Sequence, residues 1–386
     1  MFLVNIIMKK VTVKIGSVIL YPLFIIFFIL IFDFGFGWLF IPRSYSFFRT
    51  LHPVYHHGLI PNQSGLAAWG PLLYPFSTNS LGFRDASCRE ITLKTDRKRI
   101  LILGDSHTEA VGINFEDSFF GRLSITAKSK NIDMLNAAVV SYSPKIYYLK
   151  AKYLLEEAHL SFNELWVFLD ISDLQNELAY EAFSPGKETG CWKFSNRFKK
   201  FMAAHSFLYS TISSWLDKKK IGDFSDSMKT FDEKSKSYKP DNILELYATF
   251  FNDFNDKELI RSPAFHGVGK WYYDSTTIRL AERGIDLGMQ NMKLLANLCK
   301  QHEINLKISV HPWQVQVSKQ DTLDYYVKKW KVFCANERID FINLFPLFIN
   351  GENPEIANKK YYIPNDNHWT EAGHEKVACY LEQYLR

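Results

Sequence analysis

The spacing of apolar positions divides this chain into distinct stretches. Residues 15–32 form a near-continuous apolar run, with Tyr21 and Pro22 inside it, and after Asp33 the run resumes from 34 to 41. From 44 to 98 periodicity is weak. His-Pro, Pro-Asn, Gly-Pro and Asn-Ser pairs punctuate it, which predicts an irregular leader packing on the core. From 99 onward short apolar runs alternate with amphipathic stretches. Residues 99–103, 134–140, 165–169, 306–310 and 341–344 read as strands buried on both faces. Residues 144–159, 280–302, 321–336 and 371–386 read as helices, the first with Ser143 as N-cap and Pro144 at the first helical position. Strands alternating with helices predict an α/β domain over 99–386 with a parallel sheet covered on both faces.

Between the third and fourth strands the pattern predicts a helical insertion at about 180–280. Phe194, Phe198, Phe201, Met202, Leu208, Ile212 and Trp215 line one face of a helix there, and 218–239 is polar. The face reads as packing onto the domain, or alternatively as a lid or a surface for a membrane partner.

A bilayer core is spanned by about 20 apolar residues. Residues 1–43 therefore read as a cytoplasmic tip and one transmembrane helix. Lys9, Lys10 and Lys14 precede the run, so the positive-inside rule places the N-terminus in the cytoplasm and the remainder outside it, a single-pass protein of the cell membrane. A cleaved signal peptide is the competing reading, but no small-x-small cleavage site follows the run.

Charge narrows the partners. The net charge is +5, and Lys9, Lys10, Lys14 and Arg43 against Asp33 place +3 of it within 1–43. The nearly neutral body argues against nucleic acid. With 32 Phe and 20 Tyr, a disordered or low-complexity chain is excluded. The five cysteines lack CxxC spacing and suggest neither a disulfide framework nor zinc.

In open parallel sheets ligands sit beyond the carboxyl ends of the strands. The first strand ends in Gly104-Asp105-Ser106-His107-Thr108. That places a serine at the start of a helix, whose free N–H groups suit an oxyanion. A serine nucleophile needs a base, and the base an orienting acceptor. Asn365-Asp366-Asn367-His368-Trp369-Thr370 lies past the last strand, where Asp366 can hold the His368 imidazole and His368 can reach Ser106. His311-Pro312-Trp313 ends the fourth strand and faces the same cleft, and Trp313 with Trp369 offers a platform for a sugar. His52, His56 and His57 have no carboxylate at ligand spacing. No HExxH, Walker loop or dinucleotide GxGxxG is present, which argues against metalloprotease, nucleotide and dinucleotide readings.

These motifs make the chain resemble the SGNH (GDSL-type) hydrolase superfamily, over about 99–175 and 285–386. The leader Thr78-Asn79-Ser80-Leu81-Gly82-Phe83-Arg84-Asp85 is similar to those of membrane-anchored bacterial members. The resemblance implies a flavodoxin-like sheet and ester hydrolysis or acyl transfer by Ser106, His368 and Asp366 without a cofactor. Asp366 stands two before His368, where the usual spacing is three and would select Asn365. The D-x-H-W form looks like SGNH-like domains of polysaccharide O-acetylation proteins. By the same resemblance Ser141 takes the place of the oxyanion glycine and Ser172 that of an oxyanion asparagine. The expected substrate is an acylated, in particular O-acetylated, carbohydrate or polysaccharide. An esterase, an O-acyltransferase served by a membrane acyl-donor partner, and a carbohydrate-binding descendant all remain open on the sequence.

Overall fold

The structure is a computed structural model. It describes residues 21–39, 48–69, 72–181, 183–186, 201–202, 205–209, 211–212, 271–273, 278–364 and 366–385. The chain divides into two compact units, 1–43 with 189–222 and 44–188 with 223–386.

In the larger unit an eight-stranded sheet carries the site. Its parallel part runs β10 (Asp340–Asn343), β9 (Asn305–Val310), β8 (Glu164–Leu169), β6 (Arg99–Leu103), β7 (Asp133–Asn136). Numbered among themselves, these strands have the order 2-1-3-4-5 of a flavodoxin-like sheet. β6 and β8 are buried along their whole length, as continuous apolar runs covered on both faces require. One helix group pairs Phe119–Ser129 with Glu371–Leu381. A second gathers Pro144–Lys152, Asp173–Tyr180 and Ile278–Gln301. This is the expected α/β fold.

Three predicted elements differ in detail. The second strand stops at Asn136, not 140, because the Asn136 side chain accepts from Ala138 N and donates to Thr108 O, turning the chain. Ser143 does occupy the N-cap position, but its hydroxyl donates to Glu177 Oε1 at 2.8 Å and caps nothing. The leader is not irregular. It contains the hairpin β1 (Arg49–His52) and β2 (His56–Leu59), then β3 (Ser64–Trp69), β4 (Leu72–Thr78) and β5 (Arg84–Asp85), which extend the sheet antiparallel from β7. Their hydrophobic signal is weak because they are short and interrupted. Pro75 sits inside β4, where β5 pairs only with Ser77 and Thr78 and leaves that side of Pro75 without a ladder.

The leader motif has a structural reason. Asn79 Oδ1 accepts from Leu81 N and Phe83 N, and Gly82 sits at φ +69 with Leu59 O where a Cβ would go. The turn delivers Arg84, buried, whose guanidinium donates to the carbonyls of Glu109, Ala110 and Ile113. The leader thus caps the short helix that begins at Ser106.

In the smaller unit, helix Tyr21–Leu39 has a mean hydropathy of 2.2 and is long and apolar enough to cross a membrane. Asp33 is buried and accepts from Leu208 N at 2.7 Å, while Phe34 and Phe36 face Phe201 and Phe207. Phe201, Phe207 and Leu208, from the described part of the insertion's aromatic stretch, therefore meet this helix. Phe194, Phe198, Trp215 and the polar stretch 218–239 lie outside the described residues.

Candidate active site

The chain turns sharply out of β6. A Cβ on Gly104 would meet Thr108 Oγ1 at 2.2 Å, so only glycine lets helix Ser106–Glu109 fold back this tightly. Asp105 caps that helix by accepting from His107 N at 3.0 Å. The Ser106 N–H has no partner among the described residues.

His368 reaches this turn from the loop before helix Glu371–Leu381. Its Nε2 lies 2.7 Å from Ser106 Oγ, and its Nδ1 lies 2.5 Å from Asp366 Oδ1. Asp366 is held on every side. Oδ1 also accepts from His368 N at 3.0 Å, Oδ2 accepts from Trp69 Nε1 at 2.5 Å, and its carbonyl accepts from Gln314 Nε2 at 3.0 Å. Burial works to raise the Asp366 carboxyl, but hydrogen bonding and charge from His368, with Trp69, outweigh it and hold it well below the usual carboxylate range. Trp69 had no signal of its own in the sequence, since it ends an edge strand in the leader. Asn365 lies outside the described residues.

Ser106 Oγ is also 3.3 Å from Asp105 Oδ2, a weaker contact than that with His368. Asp170 and Asp173, at the end of β8, do not face His368. Asp170 faces His107, with Oδ2 3.0 Å from Nδ1 in an ionic contact that falls short of hydrogen-bond geometry. Asp173 accepts from Tyr147 Oη, and burial followed by the charges of Asp170 and Asp105 pushes its carboxyl well above the usual range.

The expected oxyanion residues separate. Ser141 sits at φ +63, a left-handed conformation that favours glycine, which accounts for the glycine of the resembled pattern. The turn before it is tied to the Ser106 helix, since Val140 N donates to Glu109 Oε2 at 2.8 Å. Ser172 is committed elsewhere. Its hydroxyl and its N–H donate to Asp170 Oδ1 at 2.6 and 2.7 Å, so neither is offered to an oxyanion. Ser172→Ala should therefore lower kcat by less than about tenfold, against the ~10²–10³ lost with a true oxyanion donor. Steady-state kinetics on one ester checks this.

The sugar platform is corrected. Trp369 is 1% exposed, stacked on Phe348 and edge-on to His311, and Trp313 is buried with Nε1 donating to Asp170 Oδ2 at 2.9 Å. His311 is likewise buried behind the cleft, not on its wall. Burial, then the neighbouring His107, lowers it to about 3. For His107 burial also works downward, but the Asp105 and Asp170 carboxylates outweigh it and raise it to about 10. This position strongly favours a positive charge. Among the described residues, Asp105, His107, Asp170 and His311 are the group whose donors converge closely enough to hold a metal ion.

The fold and this turn define an α/β domain that gathers a serine, a histidine and an aspartate at the carboxyl ends of a parallel sheet. No family model and no curated protein matches the sequence. Solved structures of GDSL-type lipases and acetylxylan esterases are similar to it at low identity. An acetylxylan esterase from Geobacillus stearothermophilus is 10% identical with a TM-score of 0.40, covering 76% of this chain and 96% of its own. A lipolytic protein of the G-D-S-L family from Desulfitobacterium hafniense is 9% identical with a TM-score of 0.36, covering 74% of this chain and 98% of its own. A GDSL-like lipase from Bacteroides thetaiotaomicron is 10% identical with a TM-score of 0.36, covering 76% of this chain and 91% of its own.

Proposed function

We propose that the chain is a membrane-anchored serine esterase that removes O-acyl groups, acetyl first among them, from a carbohydrate outside the cytoplasm. The observation that carries this reading is the continuous contact from Ser106 Oγ through both nitrogens of His368 to Asp366, at 2.7 and 2.5 Å. Ser106 attacks the acyl carbonyl carbon as His368 Nε2 takes the hydroxyl proton. Asp366 fixes the tautomer and stabilises the imidazolium. The backbone N–H groups of Ser106 and Ser141 receive the oxyanion. The protonated His368 then returns its proton to the leaving sugar oxygen, and water clears the acyl-enzyme by the same route reversed.

The carbohydrate is suggested by the likeness of Asp366-Asn367-His368-Trp369 to polysaccharide O-acetylation domains. With Trp313 and Trp369 buried, Trp69 is, among the described residues beside His368, an aromatic side chain placed to meet a sugar. It is partly exposed, with its ring 4.8 Å from that of His368. The helix Tyr21–Leu39, preceded by three lysines, supports a single anchor with the site outside.

A transferase would use the same acyl-enzyme and clear it with a sugar hydroxyl. The test is to follow acetate release from acetylated oligosaccharides with and without an unacetylated acceptor. Esterase activity predicts acetate release that the acceptor leaves unchanged. Acyl groups diverted onto the acceptor would make it a transferase, and failure to release or transfer any acyl group would sink both.

A further inference from the structure

Behind the catalytic turn, Asp105, His107, Asp170 and His311 each bring a ligand atom to within 4.8 Å of one another, and all four side chains are buried. The hydrogen bonds fix the tautomer of His107. Its Nε2 lies 2.8 Å from Asn367 O. A carbonyl only accepts, so Nε2 carries the proton and donates. In the neutral ring Nδ1 is then a lone pair, yet it faces Asp170 Oδ2 at 3.0 Å and Asp105 Oδ1 at 3.8 Å. A lone pair against carboxylates is repulsive, so either a proton or a metal cation lies between them.

His311 supplies an independent sign. It is 0% exposed, its Nε2 approaches the same Asp170 oxygen at 3.9 Å, and that nitrogen has no hydrogen-bond partner. A proton on His107 Nδ1 would relieve the first conflict. It would leave His311 Nε2 unanswered and would neutralise only one of two buried carboxylates. A divalent cation answers all three.

We propose that Asp105, His107, Asp170 and His311 form a structural zinc site. Zinc–nitrogen and zinc–oxygen bonds run ~2.0–2.2 Å, which sets ligand atoms about 3.4 Å apart in a tetrahedron. Three of the six separations are 3.0, 3.8 and 3.9 Å and the rest lie within 4.8 Å, so the wider pairs would draw in on binding. Two imidazoles with two carboxylates suit zinc, whereas calcium and magnesium take oxygen ligands. The outer partners also fit. Zinc-bound imidazoles usually donate their other N–H to a carbonyl, as His107 does to Asn367, and bound carboxylates are themselves hydrogen-bonded, as Asp170 is by Trp313 and Ser172.

Four protein ligands close the site, so the ion binds no substrate and the serine keeps the chemistry. It would instead pin the ends of β6, β8 and β9 together. Through Asn367 it would also set the loop that carries His368, whose ring stacks on His107 at 4.6 Å.

The test uses the full chain purified in detergent from zinc-supplemented medium. Mass spectrometry should find about one zinc per chain. Chelator treatment should lower Tm, and zinc chloride, not magnesium, should restore it. Cobalt in place of zinc should give the visible absorption of a tetrahedral site. His311→Ala should lose the metal, whereas substituting His52, His56 and His57 together should not. Because the His311 variant can fail to fold, re-titration of metal-stripped wild type stands as the second measurement. Zinc at background in wild type with no Tm response to added zinc overturns the proposal. So does a folded His311→Ala variant that keeps its full zinc.

Discussion

Replacing Ser106 with alanine is expected to lower kcat on the best ester by about 10⁶, and adding His368→Ala should cost nothing further. The reason is geometric. His368 Nε2 touches the reacting oxygen at 2.7 Å, so its work is to take the Ser106 proton, and without that proton it has no task in the reaction. The residual rate in all three variants comes from binding and from the oxyanion donors of the backbone. Stability should hardly change in Ser106→Ala, since the helix cap is the Asp105 side chain and not the Ser106 hydroxyl. Single-turnover kinetics on the two single variants and the double variant checks the result. Losses that multiply would show that the two residues act separately and would remove His368 from the role of base.

The second large effect belongs to Asp366. Asp366→Asn is expected to lower kcat by about 10⁴, the loss seen when an amide replaces a triad carboxylate. An amide in this place can keep only one of the two donors that point at it: with its oxygen toward Trp69 Nε1, its NH₂ takes the place of Oδ1, which accepts from His368 N. It cannot stabilise the imidazolium, and its NH₂ favours the tautomer with the proton on Nε2, where Ser106 needs an acceptor. KM should therefore change little while kcat collapses. Measured kcat near the wild-type value would mean that another group orients His368. Asp170 and Asp173 are poor replacements, because one faces His107 and the other is bonded to Tyr147.

The parallel sheet was legible because strands such as β6 and β8 are covered on both faces and read as unbroken apolar runs. The Ser106, His368 and Asp366 constellation was legible because the residue types stand at strand ends, where a parallel sheet gathers them. What the sequence hid depends on long-range partners. β3 at the sheet edge and β4 beside it carry glycine and proline, with no continuous hydrophobic pattern. Trp69 reaches Asp366 across 297 positions of sequence, a pairing that no local spacing reports. Trp313 and Trp369 were read as a surface because tryptophan suits sugars, but here the indole N–H of Trp313 is spent on a buried carboxylate and Trp369 fills the core beside Phe348. His107 carries no signal of its own in the Gly-Asp-Ser turn. Only Asn367 and the two carboxylates around it reveal its tautomer and its charge.

The central claim is that Ser106 is a nucleophile activated by His368. The most direct measurement is covalent labelling with a serine-directed fluorophosphonate followed by peptide mass spectrometry. The account predicts a single adduct on Ser106, formed at a rate that falls steeply in His368→Ala and Asp366→Asn. An adduct on another serine, or labelling of Ser106 that proceeds equally fast without His368, would contradict it.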